Sequence, residues 1–403
     1  MSLTDEQESQ AIKPLAPSFS SMHILVAPNA FKNSLSASDA AQAISRGFQR
    51  SRLDCACECF PVGDGGDGTA TLLVEKCEGR TIAVEVQNPL GRKISASFGL
   101  IDEDRTAVIE MAAASGLRLL RPEEFDPLHA TSFGTGELIK AALDQGASNV
   151  VLAIGGSATV DGGGGVLQAL GVRFLDAVGN DLLGVPASLV DLHAVDLSGL
   201  DPRLSQCALT VLCDVENPLL GEQGAAQVFG PQKGATPEAI GKLEIALTKL
   251  SDIFRRKMGK EMATNKRGGA AGGVAAGLHA CLNAKLVNGI EYFLDATHFD
   301  AALRKADLVV TGEGSIDEQT LQGKGPVGVA LRAQAKNIPV IGLAGAVPLQ
   351  PNPSLQRYFD VLLPIGAGPV EAETALRHTA ADLERTAMEL GNLLAINKMI
   401  DRG

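Results

Sequence analysis

Glycine in this chain is concentrated in short clusters that also carry acidic or basic residues, and these clusters follow apolar runs. The 403 residues include 45 glycines, and clustered glycine lets backbone approach a ligand closely. Apolar runs at residues 23–28, 150–154, 209–213, 308–311, 340–344 and 361–365 predict short buried strands. Helical patterns lie between them, including residues 37–50, 136–145, 237–258 and 371–390. This alternation predicts an α/β fold with mostly parallel sheets.

The length of the chain favours two domains, because a single core seldom serves 403 residues. No Pro/Ser-rich linker divides the sequence, so we expect a chain that leaves one domain and later returns to it. The predicted divisions are a flexible tail over residues 1–21, a discontinuous flavodoxin/Rossmann-like domain over residues 22–88 and 295–403, and an inserted second α/β domain over residues 89–294. A cleft is expected between the two domains.

Charge and composition exclude several classes of partner. A net charge of −12 and an aromatic content of 4%, without Trp, are unlike a protein that binds nucleic acid or an anionic membrane. The first residues are acidic and polar and do not form a signal peptide. We therefore expect a cytoplasmic protein that binds small molecules, and a homodimer is compatible with the sequence.

The first two clusters offer a cation at a helix start and a pair of acids. Lys32 precedes the predicted helix with Ser34 and Ser36, and Ser36 is a candidate N-cap, so this segment suits a carboxylate or phosphate. Asp64 and Asp67 lie among four glycines before a further helix. The alternatives are a solvated loop lysine in the first case and a hairpin turn or calcium loop in the second, although the EF-hand spacing is absent.

The third cluster follows the strand at residues 150–154. Gly155, Gly156, Ser157 and Thr159 can present amide and hydroxyl donors to phosphate, and Asp161 can hold Mg²⁺. The loop lacks the Gly-Lys-Ser/Thr of a Walker A motif. It also does not complete a G-x-G-x-x-G dinucleotide motif, which weakens the alternative of a nicotinamide-dependent oxidoreductase.

The last two clusters add acids and lysines in loops next to strands. Asp214 ends the strand at residues 209–213, the position where α/β enzymes place site residues, and its alternative is a turn cap. Lys233 follows in a Gly/Pro loop. A further loop carries Glu313, Asp317 and Lys324, and carboxylates beside a lysine are typical of metal-assisted phosphoryl transfer.

Taken in order, these segments resemble the bacterial type I glycerate kinase family. The matching segments are FKNSLSA (31–37), VGDGGDGT (62–69), EMAAASGL (110–117), TSFGTGELI (131–139), GGSATVDGG (155–163), CDVENPL (213–219), FGPQKGA (229–235), TGEGSIDEQT (311–320) and GKGP (323–326). The resemblance implies two α/β domains with the site between them, ATP and Mg²⁺, and D-glycerate as the acceptor, usually giving 2-phosphoglycerate.

The chain departs from the common family pattern at several positions. Family members commonly carry Asp-Ser where this chain has Asn29 and Ala30, and Asn where it has Val160. Asn29 removes a charge and Val160 removes an amide, so the resemblance predicts the reaction type more directly than the acceptor. A kinase of another small hydroxy acid, a kinase that forms 3-phosphoglycerate, and a non-catalytic metabolite-binding protein stay as alternatives.

Roles follow from the clusters and the resemblance together. Lys32 and the helix start at Ser36 are expected to hold the glycerate carboxylate, with Ser34 and Asp67 lining the acceptor site. Asp64, or alternatively Asp214, is expected to take the hydroxyl proton. The Mg²⁺ ligands are expected among Asp161, Asp214, Glu313 and Asp317, and the ATP phosphates are expected to contact Gly155, Gly156, Ser157, Thr159, Lys233 and Lys324.

Overall fold

The computed structural model describes residues 21–400, so all but one residue of the predicted tail over residues 1–21 lies outside the described part. The strands are β1 (Met22–Val26), β2 (Cys55–Cys59), β3 (Arg80–Gln87), β4 (Lys93–Ile101), β5 (Thr106–Glu110), β6 (Asn149–Ala153), β7 (Arg173–Leu175), β8 (Ala194–Asp196), β9 (Ala208–Cys213), β10 (Lys285–Asn288), β11 (Leu308–Ser315), β12 (Val340–Ala346) and β13 (Val361–Pro364). The α-helices are α1 (Ala37–Arg50), α2 (Thr69–Lys76), α3 (Ala112–Ser115), α4 (Phe133–Asp144), α5 (Gly164–Ala169), α6 (Ala225–Phe229), α7 (Pro237–Met258), α8 (Val274–Leu282), α9 (Gly289–Ala296), α10 (Phe299–Leu303), α11 (Gly325–Gln334), α12 (Pro353–Gln356) and α13 (Ala372–Ile400).

Local sequence explains the ends of the long helices. Ser36 caps α1, and its side chain accepts a hydrogen bond from the Asp39 amide at 3.1 Å, as the sequence predicts. Thr236 caps α7 in the same way, Pro237 occupies its first turn, and Gly259 ends it in the left-handed conformation. These signals are local, and the predicted bounds of both helices are confirmed.

The first sheet has five parallel strands in the order β13-β12-β11-β1-β2. One face packs against α1 and α13 through a cluster that includes Ile24, Ile44 and Leu383. The other face packs against α9, α10 and α11. Since β1 leads to β2 on one side and β11 leads to β12 on the other, the order in which the parallel strands follow one another reverses between β1 and β11. Such a reversal opens a crevice at the carboxyl ends of the strands.

The second sheet has six strands in the order β10-β9-β6-β5-β4-β3. The four from β10 to β5 are parallel, and β4 and β3 add an antiparallel edge. A small antiparallel pair, β7 and β8, lies apart from both sheets. Together with the first sheet, this arrangement confirms the predicted α/β class with mostly parallel strands.

One predicted domain boundary needs correction. Residues 80–88 were assigned to the first domain, but β3 pairs with β4 along its whole length and belongs to the second sheet. The chain therefore passes between the sheets earlier, between β2 and β3. The turn Asn88-Pro89-Leu90-Gly91, which contains the predicted boundary between residues 88 and 89, is instead the hairpin between β3 and β4. Turn residues alone do not distinguish a hairpin from a crossing between domains.

Helices fill the space between the two sheets. Val108 of β5 shares a core cluster with Leu73 of α2 and Phe293 of α9, and this cluster continues to Val309 of β11. The opposite face of the second sheet carries the largest core, packed against α4, α5, α7 and α8. No helix in the described part of the chain is both long enough and apolar enough to span a bilayer.

Candidate active site

The Gly-rich segment at residues 61–68, here called the strap, runs from the first sheet to the second. The Val62 amide donates to the Pro28 carbonyl at 3.0 Å, and the Gly155 amide donates to the Gly65 carbonyl at 3.0 Å. The approach leaves no space for side chains: a Cβ on Gly155 would lie 2.6 Å from Gly66 Cα. The glycines thus permit backbone contact between the two halves of the molecule.

Asp64 lies on the strap and its carboxylate is held from two sides. Asn29 Nδ2 donates to Asp64 Oδ2 at 2.7 Å, and the Gly66 amide donates to Oδ1 at 3.2 Å. The side chain of Asn29 is itself fixed, because its Oδ1 accepts from the Ala30 amide at 2.8 Å. Asp64 is 6% exposed. Its position is therefore set by hydrogen bonds on both oxygens.

Asp214 and Glu313 lie close enough to Asp64 to interact with it electrostatically. Burial, followed by the negative charge of Asp64, raises the pKa of Asp214. Burial is the main reason why the pKa of Glu313 is raised to about 7, and the negative charge of Asp64 also raises it. A hydrogen bond from Thr320 acts in the opposite direction and lowers the pKa. Three carboxyl groups from β9, β11 and the strap therefore share one region, where a cation would be stabilised.

Two lysines complete this region. Lys32 and Lys324 each lower the pKa of both Asp214 and Glu313, so both cations are close to both acids. Lys324 immediately precedes α11, and a Cβ on Gly325 would lie 2.9 Å from Asn29 Nδ2. The amino end of α11 therefore points into the same crevice, where its free amides and helix dipole favour anions.

The loop that follows β6 presents backbone donors on the side of the second sheet. Within residues 21–400, the amides of Gly156 and Ser157 donate to no protein group. Gly156 lies against the strap, since a Cβ there would come within 2.7 Å of Asp67 Oδ1. Free consecutive amides at the end of a parallel strand are an arrangement that binds phosphate.

Lys233 supports this loop from behind and does not reach the crevice. Its Nζ donates to Ser157 Oγ at 2.9 Å and to the Thr159 carbonyl at 2.7 Å, and the residue is 3% exposed. Burial lowers the pKa of Lys233 to about 7, partly offset by Asp161. A direct contact of Lys233 with phosphate, as expected from the sequence, does not fit this position.

Asp161 is also buried, and its oxygens are already used. Oδ2 accepts from the Ser132 amide and hydroxyl at 2.8 and 2.6 Å and from the Gly165 amide at 3.1 Å. Oδ1 accepts from the Gly163 amide at 3.0 Å. The side chain joins the starts of α4 and α5, and we no longer propose it as a metal ligand.

Four other predicted site residues have local roles in the structure. Ser34 Oγ contacts the Leu376 carbonyl and Thr379 Oγ1, each at 2.6 Å, and so ties its loop to α13. Ser36 caps α1. Asp317 accepts from the Gln319 amide at 2.8 Å within its own turn. Buried Thr159 keeps one unpaired oxygen, Oγ1, within the described residues.

Asp67 stays a candidate for contact with a ligand. Its Oδ1 is buried and, within the described residues, has no hydrogen-bond partner. Its Oδ2 lies 3.4 Å from Arg118 Nη1. Burial raises the pKa of nearby Glu110, which also accepts from the Ala70 amide at 3.1 Å. An unpaired acceptor at the crevice is well placed to accept from a substrate hydroxyl.

Sequence reasoning missed two residues near the site. Asn29 was treated as a departure from the family pattern, although a polar residue directly after a buried strand is itself a signal for a site at the crevice. Arg118 follows the EMAAASGL segment without any spacing that distinguishes it from a surface arginine. Its contact with Asp67 depends on tertiary structure.

No preformed metal site exists in the described part of the chain, where no three His, Cys, Asp or Glu side chains are grouped to hold an ion. This finding is compatible with Mg²⁺, which commonly uses one or two carboxylates and takes its other ligands from substrate phosphates and water. The carboxyl groups of Asp214 and Glu313, with raised pKa values beside Asp64, supply the oxygen donors that Mg²⁺ prefers.

Comparison with known proteins gives one consistent family. The model of the glycerate kinase family matches residues 24–395. Glycerate kinase of Bacillus subtilis (strain 168) is 45% identical over 377 residues, covering 94% of this chain and 99% of the relative. Glycerate 2-kinase of Escherichia coli K12 is 42% identical, covering 93% and 98%. The crystal structure of a Salmonella typhimurium LT2 protein, provisionally named glycerate kinase 2, matches with a TM-score of 0.80 and 45% identity, covering 94% and 100%.

Proposed function

The chain belongs to the glycerate kinase family, and from this premise we propose that it transfers the γ-phosphoryl group of ATP to D-glycerate with Mg²⁺, giving 2-phosphoglycerate. The observation that carries the proposal is the convergence of Asp64, Asp214 and Glu313 between Lys32 and Lys324. Phosphoryl transfer needs such a combination, because positioning and charge neutralisation account for most of its catalysis.

Asp64 is the proposed general base. Its oxygens are oriented by Asn29 and by the Gly66 amide, so the carboxylate is held ready for a hydroxyl that enters the crevice. As the glycerate oxygen bonds to the γ-phosphorus, its proton passes to Asp64 and the bond to the β–γ bridging oxygen breaks. ADP then carries the electron pair of that bond, and Asp64 later returns the proton to water.

Mg²⁺ would be held by Asp214 and Glu313, and it supplies charge neutralisation of the phosphate oxygens when bound. The free amides of Gly156 and Ser157 are proposed to bind phosphate from the side of the second sheet. Lys32, Lys324 and the start of α11 supply positive charge from the first. Lys233 has an indirect role in this scheme, since it fixes Ser157 and Thr159.

The glycerate hydroxyl that is not phosphorylated also needs a partner. Asp67 Oδ1 has no hydrogen-bond partner within the described residues and lies 2.7 Å from where a Cβ on Gly156 would be, and we assign it to that hydroxyl. Arg118 neutralises Asp67 and leaves Oδ1 available. We further propose that the protein acts in the cytoplasm, where ATP is supplied.

A coupled assay of ADP release tests this proposal. D-glycerate should support turnover in the presence of Mg²⁺, and D-lactate and glycolate, which both lack the 3-hydroxyl of D-glycerate, should support it poorly. Phosphorus NMR of the product distinguishes 2-phosphoglycerate from 3-phosphoglycerate. Absence of glycerate-dependent ADP release would contradict the proposed function, whereas a 3-phosphoglycerate product would change only the position of transfer.

A further inference from the structure

A cavity of about 250 Å³ lies beside the proposed catalytic centre, and we call it the side pocket. Gly314 and Gly345 line it at the carboxyl ends of β11 and β12. A Cβ on Gly345 would lie 2.8 Å from the Gly314 carbonyl oxygen, so this surface stays free of side chains. Lys32 also lines the cavity, and its charge acts on both Asp214 and Glu313, so the side pocket adjoins the carboxylate cluster.

Much of the lining of the side pocket is apolar. Phe31 and Ile365 contribute one part of the lining, and Ala375 and Leu376 of α13 contribute another. The contacts of Ser34 with Thr379 and the Leu376 carbonyl hold the loop at residues 31–35 against the helix. A largely apolar lining of this kind suits the ring system of a ligand.

The charged groups of the side pocket are Lys32 and Asp382. Lys32 lies on the side of the catalytic cluster, since its charge lowers the pKa of Glu313. Asp382 lies about two turns after Ala375 on α13, and its Oδ1 is 3.8 Å from Arg385 Nη2. The lining thus passes from a cation through apolar walls to a hydrogen-bond acceptor.

We propose that the side pocket binds the adenosine part of the nucleotide, an inference that rests on the proposed function. The adenine ring would lie against Leu376 and the backbone of Gly314 and Gly345, and its exocyclic amine would donate to Asp382. The phosphates would leave past Lys32 toward Glu313. ATP has an amine on its planar ring at one end and its phosphate anions at the other. This order matches the lining of the side pocket, which has Asp382 at one end and Lys32 at the other.

Glycerate is a poor match for the same cavity. Every carbon of glycerate carries an oxygen, and burying such a molecule against Phe31, Ile365 and Leu376 would leave its polar groups without partners. The carboxylate of Asp382 would also repel the glycerate anion. The acceptor is therefore expected on the other side of Lys32, beside Asp64 and Asp67.

Filling the side pocket is the first test. Ala375→Trp places an indole in the cavity from an exposed position of α13, and Ala381→Trp adds the same ring on another face of that helix as a matched control. Calorimetric titration with the ATP analogue AMP-PNP and Mg²⁺ should give a Kd at least tenfold higher for Ala375→Trp and within twofold of wild type for Ala381→Trp. A Kd for Ala375→Trp within threefold of wild type would overturn the inference.

The second test leaves the shape of the side pocket unchanged and instead varies the base of the nucleotide. Inosine triphosphate carries a carbonyl where ATP carries the exocyclic amine, so the wild type should bind ATP about tenfold more tightly. Asp382→Asn can donate to that carbonyl, and it should bring the two Kd values within threefold or reverse their order. An unchanged ratio in Asp382→Asn would rule out Asp382 as the group that recognises the amine.

Failure of this inference is distinguishable from failure of the proposed function. If wild-type protein releases ADP with glycerate while Ala375→Trp binds AMP-PNP normally, the function stands and the nucleoside lies elsewhere. If wild-type protein has no glycerate-dependent turnover, the function itself fails, whatever the side pocket binds.

Discussion

Two buried charged residues, Asp161 in the loop that follows β6 and Lys233 behind that loop, are satisfied differently. Asp161 accepts hydrogen bonds from four groups, three amides and a hydroxyl. Lys233 has two oxygen partners at its ammonium, and burial lowers its pKa to about 7. A buried lysine with this pKa makes stability depend on pH above neutrality.

The expected direction follows from proton binding. Between pH 7 and 10.5 the unfolded chain keeps the Lys233 proton and the folded chain releases it, so this residue makes folding more favourable as pH rises through that window. Below about pH 7 both the folded and the unfolded chain hold the Lys233 proton, so this residue adds no pH dependence to the free energy of unfolding. Lys233→Met removes the dependence, and the free energy of unfolding of wild type minus that of the variant should increase from pH 7 to pH 9.

Urea denaturation at pH 6.5, 7.5 and 8.5 measures this difference. Lys242→Met is a suitable control, because Lys242 is exposed on α7 and pairs with Glu238 at 2.8 Å. The free energy of unfolding of wild type minus that of Lys242→Met should not change between pH 6.5 and pH 8.5. A flat difference for Lys233→Met as well would mean that Lys233 keeps an ordinary pKa in the folded protein.

Lys32 is the residue for which sequence and structure favour different partners. From the sequence we expect it to hold the glycerate carboxylate, whereas the proposed binding of adenosine in the side pocket, which Lys32 lines, would put it beside the nucleotide phosphates. From the structure we expect Lys32→Ala to raise the nucleotide KM about tenfold or more and the glycerate KM less than threefold. Steady-state kinetics with each substrate varied in turn decides between the two, and the reverse pattern would restore the assignment to glycerate.

Among the structural elements, the strap and the start of α9 leave little room for added side chains. A Cβ on Gly289, the first residue of α9, would lie 1.9 Å from the Asp64 carbonyl oxygen. On the strap, Gly65 has a φ of +96° and lies against Leu212. Position 65 needs glycine for its backbone conformation, but position 289 needs it only for space.

Gly289→Ala therefore tests whether this close approach positions Asp64. The added methyl should displace the strap, destabilise the protein by about 1–3 kcal/mol through overpacking, and lower kcat more than it raises either KM. Gly241→Ala in α7 is the matched control, since a Cβ there meets nothing within 4 Å. It should be neutral or stabilise the protein by up to about 1 kcal/mol. Wild-type kcat in Gly289→Ala would show that the strap tolerates movement.

For the whole molecule, the parts that depend on local pattern could be predicted from sequence. The bounds of α1 and α7 are set by Ser36, Thr236 and Pro237, and the buried strands are recognisable as apolar runs. The convergence of Asp64, Asp214 and Glu313 also follows, because strand ends of parallel sheets gather at one edge.

Other features depend on contacts between distant segments and have no local signal. β3 has alternating exposure like any edge strand, so its sheet could not be assigned. Asp161 and Asp64 both lie in Gly-rich loops, yet one is surrounded by amides and the other faces a crevice. The side pocket depends on α13, which lies about 340 residues from Ser34 in sequence but contacts it directly.

The most direct test of the central claim is the kcat of Asp64→Asn measured beside its affinity for AMP-PNP. The account predicts that kcat falls by about 10²–10⁴-fold, the usual contribution of a general base, while the AMP-PNP Kd and the melting temperature stay close to wild type. A kcat within threefold of wild type would contradict the assignment of Asp64 as the base at the crevice between the two sheets.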